Sequence, residues 1–319
     1  MKEAFPHNKR ILVTGGTGMV GHALKECIPQ AVFVGSEWDL RSENETDLLF
    51  REHRPNYVIN LAARVGGVKA NKDNIADFYR DNILIGTNVL HCAKRHNVEK
   101  VLSLLSTCIY PDNASSPLTE DQIHSGEPHE SNFGYAFAKR MLDVQSRAYR
   151  EQYGCNFITV APNNLFGEYD NFDLENSHVI PAIMRKMHEA SLKGENVYLW
   201  GDGTPLRAFT YSQDLARILL LLLARYEGDR PINAGDTKES SIKDIAEKIA
   251  DILEFKGEII WQTDMPKGQH RKLSDSSKLE SMGWKSDNYT DINVALKKTC
   301  KWFIENYPDV RGLKKRSIK

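Results

Sequence analysis

A glycine-rich segment near the amino terminus constrains the fold more than any other stretch. The apolar run Lys9–Thr14 ends directly in Gly15, and glycine recurs at Gly18 and Gly21 before an amphipathic segment that reaches Cys27. This order indicates a strand, a tight turn and a helix. Glycines at this spacing allow a backbone to turn sharply and approach a pyrophosphate, which the amides at the helix start then face. The segment predicts a dinucleotide site; a plain tight turn is the alternative, because the glycine pattern alone is a weak signal.

The alternation of short apolar runs and helical periodicity continues along the first half of the chain. The runs lie at 31–35, 57–63, 101–106 and 157–162. Strands that are apolar on both faces are typical of a parallel sheet covered by helices on each side. The sequence therefore predicts an α/β fold built on a doubly wound parallel sheet, the Rossmann arrangement, with a second, smaller α/β domain.

The domain boundaries are predicted from the point where this alternation loosens, at Gly167. The prediction assigns 1–166 and 208–232 to the dinucleotide-binding domain, 167–207 and 233–288 to a smaller substrate domain, and 289–319 to a closing helix and basic tail.

Composition excludes several classes of protein. The formal net charge is -1 over 319 residues, so no general field would hold nucleic acid or an anionic membrane. The longest apolar run, 218–224, is far shorter than the roughly 20 residues needed to cross a bilayer, and is predicted to be a buried helix. The first apolar run begins only at Ile11, so no cleavable leader is expected and the cytoplasm is the predicted location.

The cysteines predict neither a disulfide framework nor a zinc site. They are odd in number, widely spaced and without a C-x-x-C pair, which favours a reducing compartment. No metal is predicted. The five are Cys27, Cys92, Cys108, Cys155 and Cys300.

Three polar side chains have the chemistry of a nicotinamide enzyme. Ser106 ends the fourth predicted strand, and Tyr135 and Lys139 lie four residues apart on one face of a helix predicted over 133–153. A hydroxyl, a phenol and a lysine are the groups that deliver a proton to an oxygen while hydride arrives at its carbon. A solvated surface pair is the alternative for Tyr135 and Lys139, but their occurrence with Ser106 and the glycine turn favours catalysis.

The residues after the second strand leave the choice of cofactor open. An acid at the strand end favours a free ribose 2′-hydroxyl, whereas an arginine favours a 2′-phosphate. Gly35 and Ser36 occupy the tip here, followed by Glu37 and Asp39, with Arg41 beyond. The local pattern is therefore ambiguous between NADH and NADPH.

Several motifs together resemble the extended short-chain dehydrogenase/reductase family, which modifies nucleotide sugars. They are the glycine turn 15–21, Asn60–Ala63, Ser106, and Tyr135 with Lys139. Four further stretches resemble the family members that act on GDP-4-keto-6-deoxy-D-mannose with NADPH: 64–68, 106–111, 177–182 and 200–207. The resemblance covers nearly the whole chain and is most specific around Cys108 and His178.

The resemblance implies inversion at C3 and C5 of the sugar followed by reduction at C4. A C4 ketone acidifies both neighbouring carbons, so one base and one acid on opposite ring faces suffice. The residues do not assign the direction; the resemblance implies Cys108 as base and His178 as acid. It further implies that Tyr135 protonates the new alkoxide, Lys139 lowers the phenol pKa and holds the nicotinamide ribose, and Ser106 binds the C4 oxygen.

The expected binding residues follow from the same motifs. The cofactor set is Gly15, Gly16, Thr17, Gly18, Met19, Val20, Gly21, Asp39, Leu40, Ala62, Ala63, Leu105, Ser106, Tyr135, Lys139, Pro162, Asn163, Asn164, Leu165 and His178. The substrate set is Ser106, Thr107, Cys108, Lys186, Trp200, Arg207 and Asp275. For Trp200 a core position, for Lys186 a solvated helix face, and for Asp275 a helix cap are the alternatives.

Use of NADP(H) is an expectation from resemblance, since Thr17 and Gly35 stand where related chains often carry arginine. Pairing through helices 75–96 and 133–153 is the corresponding expectation of a homodimer. Two other functions stay open: a nucleotide-sugar epimerase or dehydratase with tightly bound NAD, and a dinucleotide-sensing binding protein. The second is disfavoured because the serine, tyrosine and lysine set is intact.

Overall fold

The computed structural model describes residues 9–265 and 271–313. The strands are β1 Ile11–Thr14, β2 Val32–Val34, β3 Tyr57–Asn60, β4 Lys100–Leu104, β5 Phe157–Pro162, β6 Asn164–Phe166, β7 Val197–Trp200, β8 Leu206–Tyr211, β9 Ile232–Ala234, β10 Glu239–Ser241 and β11 Ile259–Gln262. The α-helices are α1 Met19–Cys27, α2 Glu43–His53, α3 Val68–Asp73, α4 Ile75–Arg95, α5 Phe133–Tyr153, α6 Val179–Lys193, α7 Ser212–Arg225, α8 Ile242–Ile252, α9 Ser277–Ser281 and α10 Ile292–Asn306.

Six parallel strands form the central sheet in the order β2-β1-β3-β4-β5-β9. Val13 pairs with Phe33 on one side and with Ile59 on the other. Strand order turns back at β1, so the carboxyl ends of β1 and β3 border a crevice in which such sheets bind ligands. The predicted doubly wound fold is confirmed.

Helices bury both faces of this sheet. One face packs against α1 and α7, where Leu24, Leu215 and Leu219 are fully buried. The other packs against α2, α4 and α5, with Phe50 and Leu90 fully buried. Complete burial of one leucine stabilises the fold by about 2 kcal/mol. Parallel sheets are typically covered on both faces, and these two apolar layers provide that cover. The apolar run 218–224 lies within α7, which confirms the predicted buried helix.

The chain beyond Gly167 builds a third apolar cluster away from the main sheet. It lies among α6, α8 and α10 and includes Met184, Ile249 and Phe303. Two small sheets border it, one in the order β10-β8-β6 and one pairing β11 with β7. Cys300 is buried there, as predicted. The proposed domain boundaries stay a prediction.

Some local predictions are wrong. The glycines of segment 64–71 predict a loop, but the segment contains the start of α3. Segment 112–130 is rich in Pro, Ser, Glu and His and lacks periodicity, which predicts a surface loop; yet two of its side chains, Leu118 and Ile123, lie in the core, and Leu118 forms a β-bridge with Ser274. That contact joins distant parts of the chain, so local periodicity carries no trace of it.

Two sequence predictions fall on other parts of the chain. The amino-terminal segment 1–8 and most of the predicted basic tail, 314–319, lie outside the described residues. Within 9–265 and 271–313, no helix is both long enough and apolar enough to span a bilayer.

Candidate active site

The turn between β1 and α1 is tightly constrained by its neighbours. Gly15 has φ +68°, and a Cβ added there would lie 2.9 Å from the backbone nitrogen of Ala62. A Cβ on Gly21 would collide with the carbonyl of Gly16. Two positions thus exclude any side chain, which brings the turn against β3 and α1 against the turn. The spacing of the glycines reflects this packing.

The start of α1 suits a bound diphosphate. Gly18 is the N-cap and supplies no side-chain hydrogen bond, and the first turn holds no acidic residue. Its first amides therefore keep their capacity to donate, and the helix dipole adds positive potential at the same point. A dinucleotide fits this cradle of glycines and amides.

The carboxyl end of β4 carries the serine and cysteine of the predicted set. Thr107–Ile109 form one turn of 3-10 helix, and the hydroxyl of Ser106 accepts a hydrogen bond from the amide of Cys108 at 3.3 Å. Arg140 holds this turn from α5, because its Nε donates to the carbonyl of Ile109 at 2.5 Å. Arg140 was not anticipated, although it directly follows Lys139.

Tyr135 lies beside this turn, on the first turn of α5. Burial raises the pKa of its phenol above the ordinary value; the neighbouring Cys108 raises the pKa further, and a hydrogen bond with Ser106 lowers it. Phe78 packs edge-on against the ring, with the two ring centroids 6.4 Å apart. The phenol therefore holds its proton at neutral pH, which suits a proton donor. Ser106, Cys108 and Tyr135 share one site.

Lys139 lies one helical turn further and is almost completely buried. Its Nζ donates to the carbonyl of Leu104 at 2.9 Å and lies 6.0 Å from the centroid of the Tyr135 ring. Burial lowers the pKa of this ammonium to about 8. The expected lowering of the phenol pKa by Lys139 stays a prediction; in the structure, burial leaves the pKa of Tyr135 raised.

The pKa of Lys139 predicts proton uptake on cofactor binding. Near pH 8 the ammonium is about half protonated, and an anionic dinucleotide would favour the charged form. We expect about half a proton to be taken up per dinucleotide at pH 8, measured calorimetrically in buffers of different ionisation enthalpy. Lys139→Met should remove the uptake, whereas exposed Lys301→Met should not. Buffer-independent heats for the unmodified protein would contradict the prediction.

His178 lies at the start of α6. It is exposed, and its side chain makes no capping hydrogen bond. Two residues earlier, the carbonyl of Asn176 accepts from the amide of Gly67 at 3.0 Å. Gly66, which directly precedes Gly67, faces Phe78, because a Cβ on Gly66 would lie 3.1 Å from the Phe78 ring. Continuous contacts therefore link the loop of His178 to Tyr135 through Phe78.

A buried acid near His178 was not anticipated. Asp170 is 5% exposed, and one of its carboxylate oxygens has no hydrogen-bond partner in the described part of the chain. Burial raises the pKa of this carboxyl, while the charge of nearby His178 lowers it. No sequence motif distinguishes this aspartate from the solvated acids around it.

The residues expected along the nicotinamide half lie between β5 and β9. Leu105 and Asn163 are buried, and Pro162 pairs with Ala234. The side-chain nitrogen of Asn163 donates to the carbonyl of Asp236 at 2.8 Å, and its side-chain oxygen accepts from the hydroxyl of Thr210 at 2.7 Å. These internal bonds orient the strand end that Asn164 and Leu165 continue as β6.

Two of the predicted substrate residues contact each other. The Nζ of Lys186 donates to the carbonyl of Tyr198 at 3.1 Å and lies 5.8 Å from the centroid of the Trp200 ring. Trp200 is 52% exposed, so the core alternative is wrong for this side chain. Burial lowers the pKa of Lys186, and a bound anion would offset that cost. An open indole face beside a half-buried cation suits a base and its diphosphate.

The other two substrate residues have separate partners. Arg207 lies in β8, donates to the carbonyl of Leu206 at 2.7 Å, and is half-buried, which lowers the pKa of its guanidinium. The carboxylate of Asp275 accepts from the amide of Ser277 at 2.9 Å, as the capping alternative predicts. A role for either in binding substrate stays a prediction.

Near the end of β2, Asp39 and Leu40 have defined structural roles. The carboxylate of Asp39 binds Arg41 through Nε and Nη2, both at 2.8 Å. Leu40 is buried, and its carbonyl accepts a hydrogen bond from the side-chain amide of Asn88 at 2.9 Å. Contact of either residue with a cofactor stays a prediction.

Comparison with known proteins agrees with this geometry. A sequence model of the NAD dependent epimerase/dehydratase family matches residues 11–235. The GDP-L-fucose synthase of Dictyostelium discoideum is 42% identical over 313 residues, covering 95% of this chain and 98% of that one. The Escherichia coli (strain K12) GDP-L-fucose synthase is 36% identical over 322 residues, covering 95% and 99%.

A solved structure matches over the same extent. The crystal structure of a GDP-L-fucose synthetase from Naegleria fowleri bound to NADP superposes with a TM-score of 0.90 at 38% identity, and the match covers 96% of each chain. The residues matched by the family model include the glycine turn and the site built on β4 and α5. The chain therefore belongs to the NAD dependent epimerase/dehydratase family, within which its relatives include the GDP-L-fucose synthases.

Proposed function

We propose that this protein converts GDP-4-keto-6-deoxy-D-mannose to GDP-L-fucose, by inversion at C3 and C5 and then reduction at C4 with NADPH. One observation carries the proposal: a thiol, a serine hydroxyl and a protonated phenol meet at the end of β4, beside a glycine cradle for a dinucleotide. Similarity to GDP-L-fucose synthases over 95% of the chain supports the choice of sugar.

Inversion uses the acidity that the C4 ketone gives to C3 and C5. Cys108 removes a proton from one ring face, the resulting enolate spreads its charge onto the C4 oxygen, and His178 returns a proton to the opposite face. A thiol and an imidazole are both groups that enzymes use to accept and return protons. His178 is exposed at the start of α6, so it can meet a sugar that enters from solvent.

Reduction needs a proton donor at the C4 oxygen. A bound nicotinamide supplies the hydride to C4. The phenol of Tyr135 then protonates the alkoxide, while the Ser106 hydroxyl donates to the same oxygen and stabilises its developing charge. Lys139 orients the ribose. Its positive charge, one helical turn away, stabilises the Tyr135 phenolate that remains after the proton has been transferred.

The nucleotide end is assigned to the second half of the chain. Lys186 and Arg207 would neutralise the diphosphate, and Trp200 would stack on the guanine. Burial lowers the pKa of both cations, and a bound anion would oppose that effect. This assignment rests on residue chemistry and on the resemblance.

The quaternary state and location belong to the same proposal. Helices α4 and α5 carry exposed apolar side chains, Tyr79 and Leu84 on one and Val144 on the other, which favours pairing into a homodimer. All five cysteines are free thiols, which suits the reducing conditions of the cytoplasm. Light scattering on the purified protein tests the dimer.

The activity is tested by incubating the purified chain with GDP-4-keto-6-deoxy-D-mannose and NADPH. We expect one NADPH to be oxidised for each GDP-L-fucose formed, followed by the nicotinamide absorbance and by chromatography of the product. Turnover of the sugar with no net loss of NADPH would instead identify an epimerase or dehydratase that regenerates tightly bound NAD.

A further inference from the structure

The end of β2 is closed by an acidic side chain. The carboxylate of Glu37 accepts a hydrogen bond from the amide of Gly35 at 2.7 Å. A Cβ added to Gly35 would lie 2.9 Å from the second oxygen of that carboxylate and 2.7 Å from the hydroxyl of Thr17. Glu37 and Thr17 therefore meet over the strand end, and a side chain at position 35 would displace them from this arrangement.

This point adjoins the dinucleotide cradle. The amide of Gly16 donates to the carbonyl of Val34 at 2.7 Å, which joins the glycine turn to the last residue of β2. In sheets of this kind, an acid about 20 residues beyond the glycine turn accepts a hydrogen bond from the ribose 2′-hydroxyl. Glu37 lies at that distance along the chain and is exposed.

The nearby arginines are held by other acids. Arg41 forms two bonds with Asp39 and lies 3.7 Å from the carboxylate of Asp81. Arg64 and Arg80 contact the same Asp81 at 2.9 and 2.8 Å. These acids offset the charge of the nearby arginines, whereas the exposed carboxylate of Glu37 lies at the end of β2 itself.

We propose that Glu37 determines cofactor selectivity by binding the ribose 2′-hydroxyl and disfavouring a 2′-phosphate, so that this enzyme uses NADH as well as NADPH. The inference rests on the proposed function only for the identity of the reaction. Charge repulsion is the cause: a carboxylate within a few ångströms of a phosphate weakens its binding by about tenfold at a partly screened surface.

The test separates charge from local structure. Glu37→Gln keeps an oxygen that can accept from the amide of Gly35 but removes the charge. We expect this variant to bind NADPH and adenosine 2′,5′-bisphosphate about tenfold more tightly in calorimetry, and to bind NADH and ADP about three- to tenfold less tightly because the charge-assisted bond to the 2′-hydroxyl is lost. Added salt should reduce the difference in NADPH affinity between the unmodified protein and Glu37→Gln. Glu305→Gln, an exposed acid near the end of α10, is the matched control and should change neither affinity.

Two results would overturn the inference: binding of NADPH about 100-fold tighter than NADH by the unmodified protein, or an affinity ratio that Glu37→Gln leaves unchanged. Because binding is measured without the sugar, these outcomes are independent of turnover. A protein that shows the expected ratio yet leaves GDP-4-keto-6-deoxy-D-mannose unchanged would support the role of Glu37 and contradict only the proposed function.

Discussion

Tyr135→Phe is expected to slow reduction at C4 by about 100- to 10,000-fold, because it removes the proton that the new alkoxide needs. Burial raises the pKa of the Tyr135 phenol, so the phenol still carries at neutral pH the proton that it passes to the alkoxide. Single-turnover decay of the NADPH absorbance measures the step directly. Exchange of solvent deuterium into C3 and C5 should continue, since that chemistry is assigned to Cys108.

The matched control is Tyr153→Phe, which makes the same change at an exposed position in the last turn of α5. It should leave hydride transfer unchanged. Full turnover by Tyr135→Phe would contradict the assignment of the proton donor.

Cys108→Ser is expected to slow deuterium exchange at C3 and C5 by at least about 100-fold, because a serine hydroxyl is a far weaker base than a thiolate. Proton nuclear magnetic resonance of the sugar follows the exchange. Reduction of a ketone that is already epimerised should proceed at nearly the original rate, since Tyr135 and Ser106 remain.

An equal loss in both assays would show that Cys108 supports the turn rather than removing protons. Cys27→Ser, at the exposed end of α1, is the control for the thiol-to-hydroxyl change and should affect neither assay. A circular dichroism melt of both variants separates a folding defect from a chemical one.

Local patterns predicted the parts of this molecule that depend on neighbouring residues. The glycine turn was predicted from its spacing alone, although the structure shows that Gly21 is constrained locally by Gly16 and Gly15 by the distant backbone of Ala62. Helix α5 spans the predicted 133–153, because its apolar period continues without a breaker until Gly154. Tyr135 and Lys139 therefore share a face.

Predictions failed where distant segments meet. Strands β6 and β10 have three residues each and exist only because β8 pairs with both. Asn233 joins the segment 112–130 to the end of β9, accepting from the hydroxyl of Tyr110 at 2.6 Å and donating to the carbonyl of Leu118 at 2.9 Å. Such bonds follow from tertiary packing and leave no period in the sequence.

The sequence alone determined the fold class, the dinucleotide turn and the serine, tyrosine and lysine set, because these depend on backbone sterics and helical spacing over a few residues. The tertiary structure decided the pKa values of the site residues and which charged groups lie beside them. Burial beside Cys108 raises the pKa of Tyr135, burial lowers that of Lys139, and folding of β2 against the glycine turn brings Glu37 to Thr17. A side chain's charge depends on the solvent and the partners that surround it, and both are assembled only when the chain has folded.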